Sequence, residues 1–131
     1  MASVFSKIFA GEIPCFEVYR SQNVLVFMDI KPLTQGHCLV IPKNEVDHYH
    51  HLPQEIAVEV HKTALKVAKA LQQVTGAERI GWVVAGFEVA HAHVHLIPCN
   101  TMEEMSFENN RLETDSDALR EMAQRITAAL T

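Results

Sequence analysis

The chain has 131 residues, 48% of them hydrophobic and 21% charged, which suits one soluble globular domain (1–131) with a core that needs no staples. Its formal charge of −5 with histidines neutral argues against a general nucleic-acid binder, which needs a basic face, but leaves room for one small anion held by convergent donors. No apolar run of roughly 18 residues suggests a membrane span. Met1-Ala2-Ser3-Val4-Phe5 lacks the charged leader of a secretory signal. Cys15, Cys38 and Cys99 spell neither a disulfide framework nor a Cys-x-x-Cys site, so the expectation is a cytoplasmic protein with free thiols.

Ser3 to Ala10 reads as a short helix, with Ser3 as N-cap, Val4, Phe5, Ile8 and Phe9 as its apolar face, and Gly11 as the stop. Cys15–Tyr19 and Val24–Ile30 are rich in β-formers and flank Arg20-Ser21-Gln22-Asn23, which predicts a hairpin. After a loop from Lys31 to Gly36, His37–Ile41 is a third strand, closed by Pro42. Lys43 to Leu52 is irregular and polar. Pro53 then suits a first helical turn, and Ile56, Val60, Ala64, Val67, Leu71 and Val74 recur at helical spacing up to Gly76. Ile80–Ala85 is a fourth strand. A fifth runs from Val89 or Ala90 to Ile97, closed by Pro98. Thr101 to Thr114 is a polar, acidic loop. Asp115-Ser116-Asp117 begins a terminal helix whose apolar face is Ala118, Leu119, Met122, Ile126, Ala129 and Leu130. The pattern predicts an α+β fold with a mostly antiparallel five-stranded sheet.

The fifth strand carries the chemistry. In His91-Ala92-His93-Val94-His95, a period of two places three imidazoles on one face and Ala92, Val94 and Leu96 on the other. Three readings compete. The first is a solvated polar face. The second is a metal-dependent hydrolase, with two strand histidines as ligands and His48-Tyr49-His50-His51 as a source of others, although no Asp or Glu lies in the tract to orient the rings. The third is covalent catalysis on phosphorus, in which a central imidazole attacks while its neighbours orient it and bind the phosphoryl oxygens.

The sequence here resembles the histidine triad (HIT) family of nucleotide hydrolases and transferases. His91-Ala92-His93-Val94-His95-Leu96-Ile97 matches the family's alternating triad. Val26-Phe27-Met28-Asp29-Ile30, Pro32 and Gly36-His37-Cys38-Leu39-Val40-Ile41-Pro42-Lys43 match its upstream segment, and Phe5-Ser6-Lys7-Ile8 with Gly11-Glu12-Ile13-Pro14 its start. The likeness covers about 3–98; the tail 101–131 takes no part.

The resemblance implies a HIT-like α+β fold: five mostly antiparallel strands, one long helix, a short N-terminal helix and a C-terminal helix. It implies that His93 is the nucleophile, that His91 and His95 orient it and contact the phosphate, and that His37 completes the catalytic set. Asp29 would bind the ribose hydroxyls. Phe5, Ile8, Phe27 and Ile30 would sandwich a purine base, positions that would otherwise read as core packing. The implied activity is hydrolysis of a purine nucleoside 5′-phosphoramidate or related adenylylated compound through a nucleotidyl-histidine. The alternatives are a dinucleoside polyphosphate hydrolase of the same fold, a nucleotide-binding protein with little turnover, and the metal-dependent hydrolase. No cofactor is implied. The expected partners are an AMP-type small molecule and a second copy of the chain, joined as a homodimer through the helix after Pro53, with neither nucleic acid nor membrane.

Two departures stand out. The segment Trp82 to Ala90 is shorter than in the family's hydrolases, with Phe87 where Gln is expected and Glu88 where some members carry a phosphate-side Ser. A carboxylate beside a phosphate is repulsive unless protonated, turned away or bound to a cation, which suggests a leaving group that carries positive charge. Ser3 and Ser6 hold the spacing at which some bacterial members carry a zinc-binding Cys-x-x-Cys, so no metal is expected there. His95, in place of the Gln that marks the transferases, points to a hydrolase.

Overall fold

The computed structural model describes residues 2–130, so the two ends of the expected 1–131 domain lie outside it. In chain order the elements are α1 (Val4–Phe9), β1 (Glu17–Arg20), β2 (Val24–Met28), β3 (Cys38–Pro42), α2 (Gln54–Thr75), β4 (Arg79–Val83), β5 (Val94–Cys99) and α3 (Ser116–Ala129). The five strands form one antiparallel sheet in the order β1-β2-β3-β5-β4, the α+β architecture expected.

Capping agrees with the sequence signals. The Ser3 hydroxyl accepts from the Ser6 N–H at 3.0 Å and starts α1. Asp115 does the same for α3 through the Ala118 N–H at 2.8 Å. Gly76 ends α2 in the left-handed region, φ +68, with its N–H bonded to the Gln72 carbonyl.

Strands β2, β3 and β5 are buried along their whole length because both sheet faces are covered. Cross-strand register sorts their side chains. Val26, Val40 and Val94 lie opposite one another, as do Met28, Cys38 and Leu96, and these point into the main core. There they meet Val60, Ala64, Val67 and Leu71 of α2 and Leu119, Ala123 and Ile126 of α3. On the other face Phe27, Leu39 and His95 line up across the three strands. Phe5 of α1 covers that face with Leu25, Phe27, Leu39 and Ile41 in a smaller cluster. His95 is thus the point at which a hydrophobic face becomes a polar one.

The histidine tract departs from the expected strand. β5 begins at Val94, and only His95 of the three histidines lies within it. The Ala92 N–H bonds to the Val46 carbonyl and the His91 N–H to the Val89 carbonyl, so the backbone at 91–93 is spent on a loop and a turn instead of the sheet ladder. β4 likewise ends at Val83, short of Ala85, and β2 at Met28, short of Ile30.

Candidate active site

Three buried imidazoles and His37 meet at this end of the sheet, and their hydrogen bonds fix which nitrogen of each holds a proton. The Leu33 N–H donates to Nδ1 of His37 at 3.0 Å, so neutral His37 carries its proton on Nε2. That proton goes to Nδ1 of His95, 3.0 Å away, which leaves the His95 proton on Nε2. Nδ1 of His93 lies 2.7 Å from the His91 carbonyl, an acceptor only, so His93 is protonated there and its Nε2 carries a free lone pair. Nε2 of His91 donates to the Pro42 carbonyl at 2.9 Å, and its Nδ1 accepts from the Ser3 hydroxyl at 2.8 Å.

Burial keeps the site neutral. It holds His37 and His95 down to about 3, helped at His37 by the nearby Arg111 guanidinium and at His95 by His93 and His37. His93 is also lowered, chiefly by burial. The 3.6 Å approach of His37 Nε2 to Asp29 is therefore a dipole contact, not an ion pair. Burial pushes the Asp29 carboxyl up, offset by the Lys31 N–H at 2.8 Å and by Arg111.

His91 does not reach toward a ligand. It is fully buried, both ring nitrogens are bonded, and its ring faces Ser3 and Pro42. Of the two flanking histidines, His95 is the one that lines a cavity together with His93. His91 instead fixes His93 through its own carbonyl. Ser3 and Ser6 complete this support: Glu45 accepts from the Ser6 hydroxyl at 2.6 Å and from the Ser3 N–H, which lowers its carboxyl.

His93 and His95 line an apolar cavity of about 280 Å³ together with Phe5, Ile8, Phe27, Asp29, Ile30 and Glu88. All four apolar residues singled out in the sequence are there. Phe5 and Phe27 serve both expectations, since they pack into the small core cluster and wall the cavity, whereas Ile30 is 63% exposed at its rim. A second cavity, of about 390 Å³, touches His93 from another side and is lined by Asp47, His48, Tyr49, His50 and Phe87. Phe87 is 97% exposed there.

The tail supplies what sequence reasoning missed. The Phe107 ring packs edge-on against His95, 4.8 Å between centroids, and within 6.4 Å of His37. Arg111 pairs with Glu88 at 3.1 Å and approaches Asp29 at 3.8 Å. Glu88 is thus bound to a cation of the chain itself, which removes the reason to require a positively charged leaving group. No periodicity marks Phe107 or Arg111; the signal available was the unpartnered carboxylate at Glu88.

Among the described residues, one group of three has ligand atoms close enough for a metal: Asp29, His37 and His95, all within 4.8 Å of one another. Protons already join its two imidazoles. The His48, His50 and His51 rings pack tilted or edge-on with centroids 4.5–5.4 Å apart, but their ligand atoms form no such group.

Residues 10–102 match the family model described as HIT domain. A HIT-like protein of Borreliella burgdorferi is 32% identical over 132 residues, covering 95% of each chain. The adenosine 5′-monophosphoramidase of Saccharomyces cerevisiae is 36% identical over 98 residues, covering 74% of this chain and 62% of that one. Among solved structures, a Hit-like protein from Bartonella henselae superposes with a TM-score of 0.85 at 34% identity, covering 98% of this chain and 96% of the other. A zinc-bound histidine triad protein from Mycobacterium smegmatis gives 0.83 at 27%, covering 98% and 93%.

Proposed function

The chain belongs to the HIT domain family, and on that footing we propose that it hydrolyses purine nucleoside 5′-phosphoramidates or related adenylylated compounds through a nucleotidyl-histidine. The observation that carries this reading is the hydrogen bond from His93 Nδ1 to the His91 carbonyl, which leaves an unprotonated Nε2 on the wall of a nucleoside-sized cavity.

The base lies between Phe5, Ile8, Phe27 and Ile30, and Asp29 accepts from the ribose hydroxyls. The lone pair on His93 Nε2 attacks the α-phosphorus. The N–P bond forms as the bond to the leaving group breaks, and the departing amine takes its electron pair and a proton from solvent water. The Nε2–H of His95 donates to a phosphoryl oxygen as charge develops. His37 holds His95 in the required tautomer. Water then attacks phosphorus and gives its proton to solvent, the N–P electron pair returns to His93, and the nucleoside monophosphate leaves. The names of relatives support this substrate class, since two yeast proteins 36% and 35% identical are adenosine 5′-monophosphoramidases and an Arabidopsis thaliana protein 31% identical is an adenylylsulfatase.

The second reading, a dinucleoside polyphosphate hydrolase, is favoured by the second cavity beside His93, where the exposed Phe87 offers a ring for another base. The wider picture is a single cytoplasmic domain that forms a homodimer. α3 packs on the same core as α2, which supports one domain. Val58 and Leu65 of α2 are exposed, as are Trp82 and Val84, and His61 of α2 packs against Trp82, which supports an interface through that helix. No described helix is long and apolar enough to cross a membrane.

The test is incubation with adenosine 5′-phosphoramidate and with diadenosine polyphosphates, followed by denaturation and mass analysis of the chain. Wild type should yield AMP and a transient adenylyl adduct on His93. His93→Ala should bind AMP without turnover; an active His93→Ala refutes the mechanism.

A further inference from the structure

The segment 106–112, beyond the stretch that matches the family model, brings Phe107 and Arg111 to the site. We propose that Arg111 is a positioning residue for the nucleotide: its guanidinium neutralises Glu88 and steadies Asp29, so that a wall carrying two carboxylates accepts a phosphate ester. This rests on the nucleotide reading above and adds to it a residue through which affinity is set.

The segment is anchored to the loop at Lys31 and Pro32. The Leu112 N–H donates to the Pro32 carbonyl at 2.9 Å, and Arg111 donates to the Lys31 carbonyl at 2.8 Å. These bonds hold the guanidinium beside the loop whose Lys31 N–H grips Asp29. Its Nη2 reaches Glu88 at 3.1 Å, and the guanidinium carbon lies 5.3 Å from the Phe107 ring. Phe107 in turn packs on His95. One segment therefore touches both halves of the site, the histidine pair through Phe107 and the carboxylates through Arg111.

Charge gives the arrangement its consequence. Asp29 and Glu88 both line the apolar cavity. Without a cation, each phosphoryl oxygen bound there would face two carboxylates. Arg111 lines neither cavity that His93 borders, so it acts from behind the carboxylates. Its side chain is 24% exposed, sheltered enough to keep a fixed geometry. An ordinary surface ion pair predicts no effect on ligand affinity; a positioning role does.

The experiment measures AMP affinity by calorimetry and steady-state turnover of adenosine 5′-phosphoramidate on the full chain. Arg111→Ala should weaken AMP binding and raise KM about tenfold or more, with kcat changed by less than about threefold. Adding Glu88→Gln to Arg111→Ala should recover most of the lost affinity, because the uncompensated charge is gone. Arg111→Lys should recover part, since it restores charge without the planar fork. Thermal melting of each variant reports folding separately. Wild-type AMP affinity in Arg111→Ala, or a double variant as weak as Arg111→Ala, overturns the proposal. If wild type binds AMP but does not release AMP from the phosphoramidate, the hydrolase reading fails while the binding comparison still decides the role of Arg111. A wild-type chain that binds no AMP overturns both.

Discussion

His37 and His95 share a hydrogen-bonded proton in a buried site, and both titrate near 3 in the folded chain against an ordinary value of 6.5. Between those values the unfolded chain binds more protons than the folded one. A depressed folded value of this kind contributes stability that is whole above pH 6.5 and is lost as the pH falls. Each proton is worth about 1.4 kcal/mol per pH unit, so the two together give a slope approaching roughly 3 kcal/mol per unit below the unfolded value. His93 works in the same sense. Asp29 works in the opposite one, because its carboxyl is pushed up by burial, so the measurement belongs above the carboxylate range. Urea unfolding followed by the fluorescence of the single tryptophan, Trp82, serves as the assay from about pH 7.5 to 5.5. The denaturation midpoint should hold steady at first and then fall steeply once the pH passes 6.5. His95→Asn, with one titrating ring removed, should show a slope shallower by up to about 1.4 kcal/mol per pH unit. A midpoint that does not move across this range would mean that the pair is not kept neutral, and the tautomer assignment built on it would fall.

Ser3→Ala removes both the N-cap of α1 and the donor to His91 Nδ1, and should cost about 1–2 kcal/mol in melting experiments. The same variant should lower kcat more than it raises KM, with recovery in Ser3→Thr. Gly36 sits at φ +91, and a Cβ there would lie 3.0 Å from Thr75 Cγ2 and 3.2 Å from Pro98 Cγ; Gly36→Ala should lose about 1–3 kcal/mol by denaturant titration. The acid limb of kcat/KM should fall below pH 6.5, because burial depresses His93 and the reaction needs its neutral form. Turnover should survive exhaustive dialysis against a chelator. Activity lost there and restored by zinc would assign Asp29, His37 and His95 to an ion.

The elements that the sequence announced are those whose signals are local. Ser3, Asp115 and Gly76 mark helix ends by bonds spanning three or four residues, and the stripe from Val60 to Leu71 repeats within one helix. The sequence also pointed to His93 and His95, which the fold brings to the wall of one cavity. The rest depends on contacts between distant parts of the chain. Ser3 meets His91 across 88 positions, and Arg111 meets the Lys31 carbonyl across 80. Alternation alone could not tell that 91–93 leaves the sheet, because the cause is the Val46 carbonyl taking the Ala92 N–H. The same limit hid the setting of His91: the Ser3 hydroxyl and the Pro42 carbonyl engage its ring, and neither is visible in the triad.

The burial that favours a neutral His93 also explains why a cation must come from elsewhere. A neutral His93 needs a dry environment, and that environment keeps His37 and His95 neutral as well. The three rings therefore offer a lone pair and a donor N–H but no net positive charge, while Asp29 and Glu88 supply negative charge to the same cavity. A phosphate ester brings more. Helix N-termini often answer such a demand, but α1 begins with its Ser6 N–H capped by Ser3 and the Ser3 N–H taken by Glu45. Arg111 is the side chain that meets both carboxylates. Its position in a segment outside the shared triad lets the charge of the site be set without disturbing the proton arrangement of the histidines. Nucleotide affinity and nucleophile chemistry are then carried by different parts of the chain, and substitutions at Arg111 and at His93 should separate them.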